Sequence, residues 1–155
     1  MIIFDPLKAI STTKGALTEF FRDTYTNCEV FWLDKRLEEL LGQPTITKPI
    51  IKIDSVYPTA ILKSQKGFVN RQFEAHLVIA TTKDTTSYVG EYGRDQLLDS
   101  ILTLFDINDG TYQLSQRGLH KTHLIKITPL AMVTTLPNIF FARVILQFEV
   151  LIENP

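Results

Sequence analysis

The sequence has few of the residues that build disulfides or metal centres. Its single cysteine, Cys28, excludes an intrachain disulfide and any zinc site made of several cysteines. Only three histidines occur, and His120 and His123 are three positions apart with no third ligand nearby. A stable metal site needs three or four converging ligands, so we expect none in this chain.

The sequence also lacks an excess of charge of either sign. Sixteen Lys and Arg residues face seventeen Asp and Glu residues, for a net charge of −1, which does not indicate a nucleic-acid-binding protein. No apolar run approaches the ~18 residues of a membrane-spanning helix. The apolar start at residues 1–4 is broken by Asp5 and Pro6. We therefore expect no signal peptide and a cytosol-like compartment.

Motifs for catalysis and cofactor binding are missing as well. No Gly-x-Ser-x-Gly elbow, phosphate-binding loop or dinucleotide-binding glycine pattern is present. Cys28 has no neighbouring histidine and precedes Glu29, whose negative charge disfavours a reactive thiolate. We expect a protein that is not an enzyme, with no catalytic residue and no cofactor.

What remains is the composition of a globular protein. Hydrophobic residues make up 45% and charged residues 21% of the 155 positions, close to the averages for folded domains. This length favours one domain spanning residues 1–155, which buries about 70% of the surface of its unfolded chain.

Apolar periodicity predicts three helices. The first opens at Asp5 and Pro6, a capping residue followed by a proline suited to the first helical position, and ends near Tyr25. A short helix is predicted over 34–41, with Gly42 just past its end. The clearest helix covers 91–105, with a buried stripe of Leu97, Leu98, Ile101, Leu104 and Phe105.

Alternation of apolar and polar residues predicts the strands. Residues 72–82 alternate with period two, placing Phe73 and Leu77 on one side and Glu74 and His76 on the other. Further β-like segments are 30–32, 50–57 with a stop at Pro58, 124–133, and 139–152. A long loop is predicted over 63–70, and turns or polar ends at Asp109-Gly110, Pro137-Asn138 and Asn154-Pro155.

This order of elements predicts an α+β fold. Since two hairpins flank one helix, we expect a mostly antiparallel sheet of about four strands. The N-terminal helix and the central helix are expected to pack on one face of that sheet.

Local charge is less even than the total. Residues 84–110 carry six acidic residues and one basic residue, whereas the flanking segments are net positive. An acidic helix beside basic loops suits self-association by complementary faces, although a solvated helix face explains the same pattern. The residues predicted to form the interfaces of such an assembly are Lys63, Lys66, Phe68, Arg71, Asp95, Asp99, Arg117, Lys121, Arg143 and Glu149.

The sheet face leaves one chemical alternative open. Glu74 and Glu149 would form a pair of carboxylates near His76 and Arg143 if their strands were neighbours with the same facing. A small-ligand site or an enzyme would follow from that pair. The simpler interpretation is cross-strand ion pairing of the two glutamates with Arg71 or Arg143.

Most of the chain resembles the tail-terminator, or neck-terminator, proteins of tailed bacteriophages. The matching segments are PIIKI at 49–53, RQFEAHLVIAT at 71–81, YGRDQLLDSIL at 92–102 and FARVILQFEV at 141–150. The N-terminal amphipathic helix and the chain length also fit that family. These motifs are structural, and a small connector protein shares their order.

The resemblance implies a structural virion protein that is assembled in the host cytoplasm and works in the tail or neck. Such proteins form a ring of copies of themselves, usually six, on the last ring of the tail tube. The ring ends tube polymerisation and joins the tail to neck or connector proteins, and to the sheath protein in a contractile tail. Genome DNA passes through the lumen without being read, and no membrane takes part. The runner-up is a head-completion or stopper connector protein.

Overall fold

The computed structural model describes residues 1–107, 109–130 and 138–154, and it has an α+β fold. Four helices and five strands occur among these residues. In chain order they are α1 (Ala9–Thr24), β1 (Glu29–Phe31), α2 (Asp34–Leu41), β2 (Ile50–Gln65), β3 (Gly67–Thr82), α3 (Gly90–Asp106), α4 (Asp109–Ser115), β4 (His120–Pro129) and β5 (Ile139–Asn154). None of these helices has both the length and the apolar character needed to span a membrane.

The five strands form one mixed sheet in the order β1-β2-β3-β5-β4. All neighbours are antiparallel except β1 and β2, which pair in parallel from Glu29 opposite Ile50. The expected sheet of about four mostly antiparallel strands therefore differs in detail from the observed one. The three-residue β1 is too short for its sequence to indicate a partner, and its parallel pairing follows because α2 carries the chain back to the same edge.

The first helix begins later than its end signals predict. Helix α1 starts at Ala9, and the predicted opening at Asp5 and Pro6 is wrong. Asp5 does accept a hydrogen bond through its side chain, from the Leu7 N–H at 2.9 Å, but this bond belongs to a turn before the helix. The predicted end near Tyr25 agrees with the last helical residue, Thr24.

The other helix predictions differ in outcome. Helix α2 has the predicted bounds of 34–41, and α3 is within one residue of the predicted 91–105 at each end. The turn expected at Asp109-Gly110 is wrong, since both residues belong to α4. Gly110 is buried in that helix, where a Cβ would lie 3.0 Å from the Leu104 side chain. It serves close packing and not a turn.

The hairpin of β2 and β3 is longer than expected. Strand β2 continues through Pro58 with a register shift there, and the predicted loop at 63–70 is strand on both sides of a tight turn at Lys66 and Gly67. Beyond Lys52, β2 is an edge strand, because β1 pairs only with Ile50–Lys52. Proline is tolerated on an edge, where its missing N–H leaves no ladder bond unmade.

Strand β5 lies between β3 and β4, and its end binds the N-terminal segment. It pairs with β3 along the full length of both strands, and Phe4 bridges to Ile152 in parallel. Strand β4 begins at His120, four residues before the expected start. The predicted strand residues 131–133, together with Pro137 and Pro155 of the predicted turn and tip, lie outside the described residues.

The main core lies between one face of the sheet and the helices α1 and α3. The predicted alternation of β3 is confirmed, since Phe73 and Leu77 are fully buried while Glu74 and His76 are half-buried on the other face. The helices contribute fully buried side chains to this core, namely Leu17, Phe20, Phe21, Leu97 and Ile101. Both helices expected on one face thus share this core.

Helix α2 lies against the opposite face of the sheet. A small second core there contains Leu40 of α2, Phe31, Ile50, Ala80 and Ile139. Successive residues of a strand point to opposite faces, so Ile50 joins α2 while Ile51 joins the main core. Only one end of this second face is covered by the helix.

Candidate functional site

Four of the predicted interface residues lie together at the end of the β2–β3 hairpin. We call residues 61–71 the hairpin tip; it contains Lys63, Lys66, Phe68 and Arg71. The two lysines are exposed and, within the described part of the chain, take part in no ion pair. Ile61 is 60% exposed beside them. The tip is therefore a basic surface with an apolar element.

The acidic residues predicted on the central helix are exposed along one side of α3. Asp95 is held by its neighbour Arg94, whose Nη2 lies 3.1 Å from Asp95 Oδ1. Asp99 and Asp106 continue the same side and form no ion pair with any described residue. Positions 95, 99, 102 and 106 recur every three or four residues, which places them on one helix face. This face keeps uncompensated negative charge.

A groove of about 860 Å³ runs between the end of α1 and α3, and it borders this acidic face at Asp99. Tyr92 and Asp99 line it from α3, and Ile107 lines it from just past the end of that helix. Tyr25 and Cys28 line it from the segment that follows α1. Tyr92 and Ile107 are 75% and 68% exposed, so large apolar surface faces solvent at its rim. The groove thus combines apolar contact area with a carboxylate.

Two titratable groups of the groove, Tyr25 and Cys28, are buried and favour their neutral forms. Burial raises the pKa of the Cys28 thiol to about 11. Burial also raises the pKa of Tyr25 to about 12, against the opposing effect of its hydrogen bond with Ser100, whose Oγ lies 3.0 Å from the Tyr25 hydroxyl. Since the thiolate is the nucleophilic form, Cys28 stays a weak nucleophile at neutral pH.

The open face of the sheet carries a continuous chain of polar contacts. The Tyr57 hydroxyl donates to Glu74 Oε2 at 2.8 Å and lies 2.8 Å from His76 Nε2. Arg143 Nη1 lies 3.3 Å from His76 Nδ1. Because Arg143 only donates and the Tyr57 proton is given to Glu74, the network places the His76 proton on Nε2. The hydrogen bond to Glu74 raises the pKa of Tyr57.

A buried lysine continues this chain toward α2. Lys52 is 4% exposed, and its Nζ donates to Asp34 at 2.6 Å and to Asp54 at 2.8 Å. Arg143 Nη1 reaches the other Asp54 oxygen at 3.4 Å. Burial disfavours the ionised Asp54, but the hydrogen bond from Lys52 and the two positive charges outweigh it, so the pKa of Asp54 is lowered. The same carboxylates raise the pKa of Lys52 against its own burial.

The two glutamates singled out from the sequence do lie on one face of neighbouring strands. Glu74 is opposite Gln147 and Glu149 is opposite Gln72, a diagonal arrangement with backbones about 7–8 Å apart. Their partners differ, however. Glu149 accepts from Asn70 at 2.8 Å and pairs with Lys121 at 3.5 Å.

The expected ion pairs of these glutamates with Arg71 or Arg143 are therefore wrong in their partners. Arg143 is turned toward Asp54, and Arg71 lies on the opposite face, in the same row of β3 as Phe73. The remaining predicted residue, Arg117, follows α4 and binds Glu19 at 3.0 Å and Asp23 at 3.2 Å on α1. It links the end of α4 to α1 within the subunit, whereas Lys121 pairs with Glu149 on β5.

Sequence reasoning missed the groove and most of the polar chain. Tyr57 and Asp54 carry no signal in the sequence, because only the strand register places Tyr57 opposite Glu74. Lys52 gives one usable signal, a lysine flanked by isoleucines inside a strand, which indicates a buried charge that needs partners. Within residues 1–107, 109–130 and 138–154, no three His, Cys, Asp or Glu side chains converge as metal ligands would.

No protein-family model matches the chain. No curated protein matches it either. The geometry of the sheet and its surfaces, together with the resemblance of the four segments at 49–53, 71–81, 92–102 and 141–150, therefore carries the functional proposal.

Proposed function

We propose that this protein is a structural component of a tailed-phage virion that assembles into a ring of its own copies. In this role the ring caps the tail tube, ends its polymerisation and joins the tail to the neck or connector. Its partners are the tail tube protein, neck or connector proteins and, in a contractile tail, the sheath protein. DNA passes through the ring without sequence readout.

The observation that carries this proposal is the long unpaired edge of β2. From Ser55 to Gln65 no described strand lies outside it, and the residues from Ile61 onward are exposed. A single polypeptide that works alone usually shortens, twists or covers such an edge, since it invites pairing with another chain. A long exposed edge is expected where another copy of the chain lies against it in an assembly.

The polar face of the sheet supports the same role. Its charged groups are bound to one another, in the order Asp34, Lys52, Asp54, Arg143, His76, Tyr57 and Glu74. Four grooves with volumes of about 120 to 860 Å³ lie among the described residues, and none of these seven side chains lines any of the four. A polar face that is open to solvent and whose groups already bind one another suits a water-lined surface better than an active site.

Native mass spectrometry and negative-stain electron microscopy of the purified full chain test the proposal. We expect one defined oligomer in the mass spectrum and closed rings with a central hole in the images. A protein that stays monomeric at every concentration, and is absent as a ring from virions, would contradict the proposal.

A second candidate, a small-ligand site or enzyme on the open face, is favoured by one observation. Tyr57 lies within hydrogen-bonding distance of both Glu74 and His76, a grouping that general acid–base chemistry also uses. The Glu74→Gln variant tests this candidate at the grouping itself. Loss of an activity found in a hydrolase screen, with an unchanged circular dichroism spectrum and an unchanged oligomer, supports the enzyme. A ring formed by both proteins, with no activity in the wild type, supports the structural role.

A further inference from the structure

The hairpin tip and the groove beside α3 lie toward opposite ends of the sheet. The turn of the hairpin tip is at Lys66 and Gly67, where β3 begins. The groove includes Ser87 and Tyr88, which follow the other end of β3 at Thr82. Strands of this length span about 50 Å at ~3.3 Å per residue. The tip of one subunit therefore lies far from its own groove and is free to reach that of another copy.

The two surfaces are complementary in charge. The hairpin tip contains Lys63, Lys66 and Arg71 and no acidic residue; Glu153 of β5, opposite Phe68, is the nearby carboxylate in the register. Asp99 lines the groove, and Asp106 precedes the lining residue Ile107 in the chain; neither has a basic partner among the described residues. Opposite charges of this kind guide two subunits into the matching orientation and disfavour the reversed orientation.

They are complementary in apolar surface as well. Ile61 and Leu62 are 60% and 47% exposed on the tip, beside the two lysines. Tyr92 and Ile107 are exposed at the rim of a groove of about 860 Å³, a volume within the ~300–1,000 Å³ range of pockets that hold several apolar groups. Large apolar side chains next to unpaired charge on both surfaces are typical of a protein interface.

We infer that the hairpin tip of each subunit docks in the groove between α1 and α3 of the next copy of this chain. Ile61 and Leu62 enter the groove against Tyr92 and Ile107, while Lys63 and Lys66 pair with Asp99 and Asp106. The two contacting surfaces differ, so the contact is heterologous and repeats in one direction until it closes a ring. This inference rests on the proposed function and names the contact that builds the ring.

Charge reversal tests the contact. We expect the double variant Lys63→Glu/Lys66→Glu to abolish the oligomer in native mass spectrometry, and Asp99→Lys/Asp106→Lys to do the same. In a mixture of the two variants each tip meets a groove of opposite charge on the other variant, so mixing is expected to restore an oligomer of alternating subunits. Combining all four changes in one chain is expected to restore the ring. Circular dichroism of each variant reports whether the fold is kept.

The matched control is Lys35→Glu/Lys48→Glu, which changes net charge equally at two exposed lysines outside both surfaces. We expect this variant to form the wild-type oligomer. Dissociation of the control together with the tip variant would show a general charge effect and overturn the inference.

A crosslink gives an independent readout, because the chain has one cysteine. In a Cys28→Ala background, Leu62→Cys with Thr103→Cys is expected to give a ladder of covalent oligomers with a short bismaleimide. If the tip variant still forms the wild-type ring and the crosslinked protein gives no ladder of oligomers, the docking contact is overturned while the ring proposal stands. A wild-type protein that is monomeric throughout overturns both.

Discussion

A pair of glycine substitutions tests the closest packing near the groove. Gly93 lies in the first turn of α3, and a Cβ at that position would meet the carbonyl carbon of Tyr88 and lie 2.9 Å from Tyr88 Cα. Gly15 lies inside α1 with nothing within 4 Å of the corresponding Cβ. Both are helical, so the Ala substitution brings the same gain in helix propensity, and the surroundings decide the difference.

The expected effects have opposite signs. Gly15→Ala should stabilise the protein by about 0.5–1 kcal/mol, the ordinary difference between Ala and Gly in a helix interior. Gly93→Ala gains the same amount but forces backbone to move from backbone, a form of overpacking that costs ~1–3 kcal/mol. Because the added Cβ meets backbone and no change of rotamer relieves the contact, the cost lies toward the upper end of this range. We therefore expect a net loss of about 1–2 kcal/mol in the free energy of unfolding.

Urea denaturation and thermal melting, both followed by circular dichroism, measure these changes. At roughly 2–4 °C per kcal/mol for a chain of this size, the melting temperature of Gly93→Ala should fall by about 2–8 °C. That of Gly15→Ala should rise by about 1–4 °C. A Gly93→Ala protein as stable as Gly15→Ala would refute the close approach of Tyr88 to α3, and with it the shape of that end of the groove.

Two further predictions concern titratable groups. The pKa of Asp54 is lowered in the fold, so its contribution to stability is present above the unfolded value of about 3.9 and is lost as pH falls through the folded value. Asp54→Asn should cost ~1–3 kcal/mol of unfolding free energy at pH 7, because it leaves Lys52 short of a carboxylate. Urea denaturation of the variant and the wild type at pH 7 and pH 3 measures this cost, and an equal difference at both pH values would argue against the ion pair. The raised pKa values of Cys28 and Tyr25 act in the opposite direction, since stability is complete below the unfolded values and declines as pH rises toward about 11 to 12. At ~1.4 kcal/mol per pKa unit, reduced by solvent screening, we expect urea denaturation to show a loss of about 2–4 kcal/mol between pH 8.5 and pH 11.5, and a smaller loss in Cys28→Ala. The folded protein should react slowly with a thiol reagent at pH 8, and a rate equal to that of the urea-unfolded chain would contradict the burial of the thiol.

The strongly periodic segments were predictable from sequence, and so was a helix with clear end signals. Strand β3 alternates strictly because one face is buried against α1 and α3 and the other is open. Helix α2 has an apolar face followed by Gly42, and its predicted bounds are those observed. In such segments the local pattern and the tertiary environment favour the same structure.

The hairpin could not be predicted, because its outer part lacks a buried face. Residues 61–67 are exposed on both sides, so no alternation distinguishes strand from loop, and Pro58 is a usual sign of a strand end. Their strand structure depends on pairing with β3, which is itself held by β5. The groove could not be predicted either, because its lining comes from residues near position 25 and near position 100, which are distant in the sequence.

The position of β5 in the sheet sets the order in which the molecule can fold. It pairs residues more than fifty positions apart in the chain, from Thr82 with Ile139 to Gly67 with Asn154, whereas β2 and β3 meet across a tight turn. Closing long loops is costly in entropy before any contact repays it, so the hairpin is expected to form early and β5 to join late. Strand β4 meets β5 at much smaller sequence separation, with Pro129 opposite Ala142, so these two strands can pair before β5 joins β3. The completion of the sheet then depends on that single late step.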